Sequence, residues 1–164
     1  MKEIGLFYGS DSGTTQEVAQ SIAKYLENVV LHDVAKASKE DLCKYDCLIL
    51  ATPTYGDGDL QGDWEEFLDT LDSNDFANKT IALVGLGDQD CYEETFCDGL
   101  SFLYEKVSQK GNVIGQTETE GYSYANSKAI VEDKFVGLVI DAVNQEDLTQ
   151  DRIEKWCNSI KAAF

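Results

Sequence analysis

Asp46–Thr52 reads Asp-Cys-Leu-Ile-Leu-Ala-Thr and runs straight into Pro53-Thr54-Tyr55-Gly56-Asp57-Gly58-Asp59. The first stretch is apolar without alternation, the pattern of a strand covered on both faces. The second has the proline and glycines of a loop. Working outward, Glu3–Tyr8 (EIGLFY), Val29–Val34 and Thr80–Gly85 (TIALVG) repeat the strand pattern. Helical spacing separates them. Val18, Ala19, Ile22, Ala23 and Leu26 mark a helix within Thr14–Glu27. Ser38 caps a short helix through Leu42, with Asp41 completing a capping box. Trp64, Phe67, Leu68 and Leu71 mark a third helix, and Phe96, Leu100, Leu103, Tyr104 and Val107 a fourth. Asn112–Gln116 and Phe135–Ile140 read as strand, and Ile153, Trp156, Cys157 and Ile160 mark a closing helix. Strands alternating with helices predict an α/β doubly wound parallel sheet with right-handed crossovers. Ligands of such sheets bind beyond the carboxyl ends of the strands, where strand order reverses. The chemistry is therefore expected in three loops: Gly9–Thr15, Pro53–Gly62 and Gly87–Thr95.

Composition narrows the function classes. A chain of 164 residues, 43% hydrophobic, suits one globular domain over residues 1–164. The opening residues hold too short an apolar run for a signal peptide, and no run approaches a membrane span. A cytoplasmic protein is expected. Cys43, Cys47, Cys91, Cys97 and Cys157 form no C-x-x-C pair, so they read as reduced thiols rather than metal ligands. The net charge is −18. Between Tyr45 and Glu105 stand fifteen acidic residues and a single base, Lys79. Such a surface makes nucleic acid a poor partner and disfavours an acidic membrane. It suits a partner with a basic docking patch.

The first loop, Gly9-Ser10-Asp11-Ser12-Gly13-Thr14-Thr15, joins a strand to a helix N-terminus. Unpaired N–H groups and the helix dipole attract an anion there. Gly13 permits a tight turn, and Ser10, Ser12, Thr14 and Thr15 add hydroxyl donors. Asp11 is expected to face solvent, since it would repel a phosphate. No G-x-x-x-x-G-K-[ST] and no G-x-G-x-x-G occurs, which disfavours a triphosphate and a dinucleotide. A single phosphate monoester fits this loop; an ordinary capped helix start is the bland alternative. The second loop (Pro53–Asp59) and the third (Gly85-Leu86-Gly87-Asp88-Gln89-Asp90-Cys91-Tyr92) each carry one aromatic, Tyr55 or Tyr92. Two such rings can sandwich a planar group. A phosphate site with two flat walls describes a mononucleotide with a large ring system.

These three loops resemble those of the flavodoxin family, and the resemblance spans essentially the whole chain. The family's [ST]-x-[ST]-G-x-T loop is matched by Ser10, Ser12, Gly13 and Thr15. Its P-T-aromatic-G-x-G loop is matched by Pro53, Thr54, Tyr55, Gly56 and Gly58. Its G-x-G-D-Q loop ending in tyrosine is matched by Gly85, Gly87, Asp88, Gln89 and Tyr92. The family is a standard instance of a five-stranded sheet in the order 2-1-3-4-5 with flavin mononucleotide (FMN) at the switch point. The resemblance therefore implies non-covalent FMN held by Ser10, Asp11, Ser12, Gly13, Thr14, Thr15, Pro53, Thr54, Tyr55, Gly56, Asp57, Gly58, Leu86, Gly87, Asp88 and Tyr92, with Tyr92 stacked on the ring. Gly115–Lys134 separates two strand-like halves, so the chain is similar to the long-chain type, whose fifth strand is interrupted by a loop. Tyr55 stands where long-chain members most often have tryptophan, which is expected to alter affinity and potential.

The function implied is that of a low-potential one-electron carrier, not an enzyme. It would cycle mainly between semiquinone and hydroquinone, with a peptide flip at Gly56–Asp57 adjusting to the reduced ring. The acidic belt should oppose the second electron. One carboxylate ~10 Å away at an effective dielectric of ~20 contributes about 1.7 kcal/mol, or roughly 70 mV. Partners implied are flavoprotein reductases and low-potential oxidoreductases with basic patches, and the chain is expected to be a monomer without a metal. Two rivals are an NAD(P)H-dependent FMN quinone reductase and a non-redox FMN-binding regulatory module. A response-regulator receiver is disfavoured, because Tyr8-Gly9 and Ala51-Thr52-Pro53 stand where its acidic residues belong. His32 and Trp64 read as structural, and Cys91 as an oxidation-sensitive thiol beside the third loop.

Overall fold

The computed structural model describes residues 2–164. In chain order the elements are β1 (Ile4–Tyr8), α1 (Thr14–Tyr25), β2 (Val29–Asp33), α2 (Lys39–Cys43), β3 (Cys47–Thr52), β4 (Thr54–Tyr55), β5 (Asp59–Leu60), α3 (Gly62–Asp69), β6 (Thr80–Leu86), α4 (Gly99–Val107), β7 (Asn112–Ile114), β8 (Ile130–Val131), β9 (Lys134–Phe135), β10 (Leu138–Ile140) and α5 (Glu146–Ile160). The main sheet is parallel, in the order β2-β1-β3-β6, with β7 and β10 both against β6. It is the doubly wound sheet expected, and the fifth position holds two short strands. β7 pairs Thr80–Ala82 of β6, whereas β10 pairs Val84–Leu86. The two lie end to end along β6, with 115–137 looping out between them.

Side-chain alternation along each strand feeds two separate cores. On one face Ile4, Leu6 and Tyr8 of β1 and Cys47, Ile49 and Ala51 of β3 pack under Val18 and Ile22 of α1 and Ile153 and Trp156 of α5. On the other, Phe7, Leu48, Leu50, Ile81 and Leu83 pack under Trp64, Phe67, Leu100 and Leu103 of α3 and α4. Sandwiching between helices explains why the strands read as unbroken apolar runs. α2 carries the expected capping box: Ser38 Oγ accepts the Asp41 N–H (3.2 Å) and Asp41 Oδ2 accepts the Ser38 N–H (2.9 Å).

Three differences from the sequence reading have local causes. Phe96 precedes α4 instead of joining it, because Cys97 takes a positive φ of 56° and breaks the turn. Phe135 belongs to a β8–β9 hairpin, not to the last strand. Glu132 (φ 53°) and Asp133 (φ 67°) form its tight turn, as two-residue hairpin loops require. The ring of Phe135 instead joins Phe96, Tyr122 and Tyr124, which ties the inserted segment to the main core. The two-residue strands β4 and β5, which frame the second loop, are too short to show a sequence period.

Parallel register aligns the carboxyl ends that matter. Tyr8 pairs Ala51, Ala51 pairs Val84, and Ile140 pairs Leu86. The loops after β1, β3, β6 and β10 therefore emerge side by side.

Candidate functional site

A cavity of about 250 Å³ opens where those loops meet. Ser12, Thr14, Thr15, Pro53, Thr54, Tyr55, Leu86, Gly87, Asp88 and Tyr92 line it, all expected from sequence. Thr95, Cys97, Ala142 and Val143 line it as well. Thr95 closes the third predicted loop without having been singled out, whereas Cys97, Ala142 and Val143 lie outside the predicted loops. Ala142 and Val143 follow β10, and the rule that pointed to the first three strand ends applies equally to the fifth. Val143 is 71% exposed, an apolar residue left bare at the cavity rim.

Ser10, Asp11, Gly13, Gly56, Asp57 and Gly58 sit in the predicted loops but do not line the cavity. Ser10 Oγ accepts the Gly13 N–H (3.0 Å) and holds the loop shut behind the wall. Asp11 is exposed, as expected, and its Oδ1 accepts from Gln61 Nε2 at 2.9 Å. Gly58 is buried against Asp98.

The hydroxyl end of the cavity is the start of α1. Gly13 occupies the N-cap at φ 94° and no side chain caps the helix. A residue with a Cβ is strained at that angle. An uncapped N-terminus leaves its first N–H groups without a side-chain partner, and Ser12, Thr14 and Thr15 beside them line the cavity. The bland alternative, an ordinary capped helix, is therefore absent where the anion was expected.

Two tyrosines, Tyr55 and Tyr92, also line the cavity. Tyr92 is 44% exposed and Tyr55 half-buried. Burial pushes the Tyr55 phenol above its ordinary value, and the nearby Asp11 carboxylate adds to the rise. The third loop is braced from below. Asp88 Oδ1 accepts the N–H groups of Asp90 (3.1 Å) and Cys91 (2.9 Å) and the amide of Asn144 (2.8 Å). The bond from Cys91 N–H leads in holding the Asp88 carboxyl below the usual range. The charge of Asp88 in turn raises the exposed Cys91 thiol. Cys97, fully buried at the back of the cavity, is raised well above the ordinary thiol value by burial. Lys79, the one base of the acidic segment, is itself buried, with its ammonium on the Tyr45 carbonyl. Asp57, Asp59, Asp90, Glu93 and Glu94 are exposed in the second and third loops.

His32 and Trp64 take structural positions. His32 stacks on Phe7 (4.5 Å between centroids) and shares a 2.7 Å hydrogen bond with the Tyr45 hydroxyl. Trp64 is fully buried and donates from Nε1 to the Ala51 carbonyl at 2.8 Å.

The residues present fit an FMN molecule: an uncapped helix start with hydroxyls for one phosphate, and a slot with apolar and aromatic walls for a planar ring. Comparison with known proteins agrees with this geometry. The family model described as Flavodoxin matches residues 6–156. Flavodoxin from Helicobacter pylori (strain ATCC 700392 / 26695) is 54% identical over 164 residues, covering 100% of this chain and 99% of the relative. Flavodoxin from Nostoc sp. (strain PCC 7120 / SAG 25.82 / UTEX 2576) is 45% identical, covering 99% and 98%. The crystal structure of Fusobacterium nucleatum flavodoxin bound to flavin mononucleotide superposes with a TM-score of 0.95 at 38% identity, covering 100% of this chain and 99% of that one. With its three loops, its sheet order and these full-length matches in agreement, the chain belongs to the flavodoxin family.

Proposed function

We propose that this chain binds one FMN non-covalently and carries single electrons between redox enzymes, acting as an electron-transfer protein rather than an enzyme. The observation that carries this reading is the cavity itself, lined both by the uncapped start of α1 and by Tyr55 and Tyr92. Bound FMN would supply the one-electron redox chemistry. The N-terminal N–H groups of α1, with Ser12, Thr14 and Thr15, would hold its phosphate. Tyr55 and Tyr92 would flank the ring and exclude water from its faces. Gly56, at φ 52°, gives the Gly56–Asp57 peptide room to turn its carbonyl toward a ring N–H at little cost.

The acidic residues of the second and third loops would disfavour negative charge on the ring and so lower the potential of the second electron. The same charges would orient the exposed cavity mouth toward a basic partner such as a flavoprotein reductase or a low-potential oxidoreductase. No helix among the described residues is long and apolar enough to cross a membrane. We place the chain in the cytoplasm as a monomer. The splitting of the fifth strand by residues 115–137 supports assignment to the long-chain type.

Potentiometric titration of the FMN-loaded protein, followed by visible absorption, tests the reading. Two separate one-electron waves, with no steady NAD(P)H oxidation by the protein alone, are expected. A protein that takes up no FMN, or that shows a single two-electron wave, overturns it.

A further inference from the structure

The phosphate loop contains a carboxylate of its own, and the structure shows what restrains it. Gln61 is fully buried at the N-cap of α3. Its Oε1 accepts the Trp64 N–H at 3.0 Å, which fixes which way the amide faces. Both N–H bonds of Nε2 are then spent on carboxylates: Asp11 Oδ1 at 2.9 Å and Asp63 Oδ2 at 2.7 Å. The frame behind this amide is rigid. Trp64 Nε1 and the Gly9 N–H both donate to the Ala51 carbonyl, at 2.8 and 3.2 Å, so α3 is bolted to the ends of β1 and β3. A Cβ on Gly9 would lie 2.3 Å from Gln61 Oε1, so the amide has no room to shift toward the loop backbone.

We propose that Gln61 is a positioning residue for the phosphate loop: its buried amide holds the Asp11 carboxylate off the N–H groups at the start of α1 and so keeps them free for a phosphate. The proposal rests on the FMN reading above. Its physical basis is competition. The N-cap of α1 is Gly13, which offers no side chain, and the Asp11 carboxylate stands two residues ahead of it, within the turn where a negative charge is drawn to free helix N–H groups. A released Asp11 can turn in, accept from the same N–H groups and repel the phosphate. Held by Gln61, it does neither. Burial fixes the amide itself in place, while the Asp11 carboxylate that it holds stays exposed to solvent.

The test measures FMN and riboflavin binding to the apo-protein by quenching of flavin fluorescence. Riboflavin has the ring without the phosphate. Gln61→Met keeps the side-chain volume and removes the amide. It is expected to weaken FMN roughly tenfold, the usual order for a lost charged hydrogen bond, and to leave riboflavin unchanged. Asp11→Asn removes the competing charge, so in that background Gln61→Met should cost FMN less than about threefold. Equal loss of both flavins, no loss of either, or full FMN loss persisting in the Asp11→Asn background each overturns the proposal. Gln61→Leu, also without a donor and of similar size, is the second variant should Gln61→Met fail to fold, and the same selective loss of FMN over riboflavin is expected of it; equal loss of both flavins there overturns the proposal as well. Failure of the FMN reading looks different: the parent protein would then bind FMN no better than riboflavin, or not at all.

Discussion

Asp141 and Gln89 are joined twice through one oxygen. Asp141 Oδ2 accepts the Gln89 backbone N–H at 3.0 Å and its side-chain amide at 2.8 Å. The same oxygen accepts from Asn144 Nδ2 (2.9 Å), while Oδ1 takes the N–H groups of Val143 (3.1 Å) and Asn144 (3.0 Å). A fully buried carboxylate at the end of β10 thus anchors both the third loop and the turn that closes the cavity. Gln89 passes the link on, its Oε1 accepting the Ser123 N–H in the inserted segment.

Asp141→Ala strands those donors. We expect a loss of about 3 kcal/mol, since each unsatisfied buried donor costs on the order of 1–3 kcal/mol and water relieves part of it. Asp141→Asn keeps one acceptor oxygen and should lose less. Urea unfolding of the two variants beside the parent measures both. Equal midpoints for parent and Asp141→Ala would show that the buried carboxylate is not an anchor.

On the proposed FMN reading, contacts to the ring and to the phosphate should separate in mutants. Tyr92→Ala removes a flat wall that would meet the ring and not the phosphate. Aromatic contacts beyond area are worth about 0.5–1.5 kcal/mol, so FMN and riboflavin should both weaken, by up to roughly tenfold. Tyr55→Trp enlarges the other wall and should tighten both modestly. Fluorescence titration of the two flavins gives the ratio, and a ratio that moves on Tyr92→Ala would place this residue elsewhere on the cofactor.

Much of this was legible because repetition carries signal. β3 and β6 sit between two helical layers, so their residues had to be apolar throughout, and the expectation of a doubly wound sheet followed from that. Ser12, Thr14, Thr15, Tyr55 and Tyr92 were legible because hydroxyls and rings fell in loops at strand ends. Cys97, Ala142 and Val143 were not: each lies outside the predicted loops and lines the cavity by position rather than by distinctive chemistry. Gln61 was hidden for a different reason. Its role lies in three hydrogen bonds made by one amide, and one of them reaches Asp11, fifty residues away. No local pattern encodes a partner at that separation. The β8–β9 hairpin escaped because a two-residue strand shows no period.

Thiol chemistry should follow burial and neighbouring charge. Cys43 and Cys91 are exposed, whereas Cys47, Cys97 and Cys157 are buried, with burial pushing the Cys157 thiol to about 12. In the native protein a disulfide reagent should reach Cys43 and Cys91 alone, and all five thiols after unfolding. Because the Asp88 carboxylate raises Cys91, its thiolate fraction and rate near neutral pH should rise in Asp88→Asn. Stopped-flow titration with an aromatic disulfide resolves the two phases. An unchanged Cys91 rate in Asp88→Asn would assign its reactivity to access rather than charge.

Two aspartates near the cavity should respond to pH with opposite signs. Asp98 is almost fully buried, and burial pushes its carboxyl up, only partly offset by the Lys128 N–H at 2.7 Å. The folded chain therefore holds this proton more tightly than the unfolded chain. Below the ordinary carboxylate value Asp98 costs nothing; as pH rises through that value toward the raised one, stability is lost. Asp98→Asn keeps an acceptor for Lys128 and removes the charge, so its unfolding midpoint should exceed the parent's near pH 7, with the gap closing near pH 3. Asp88 is the reverse. Its carboxyl is held down, chiefly by the Cys91 N–H, so it adds stability above the ordinary value and loses it as pH falls through the lowered one. Asp88→Asn should therefore be less stable than the parent near pH 7 and equal to it only in more acid solution. Urea midpoints for the three proteins from about pH 3 to about pH 8 decide the matter: the two difference curves must diverge in opposite directions as pH rises. Curves of the same sign would mean that lost hydrogen-bond geometry, not proton binding, governs one of these sites.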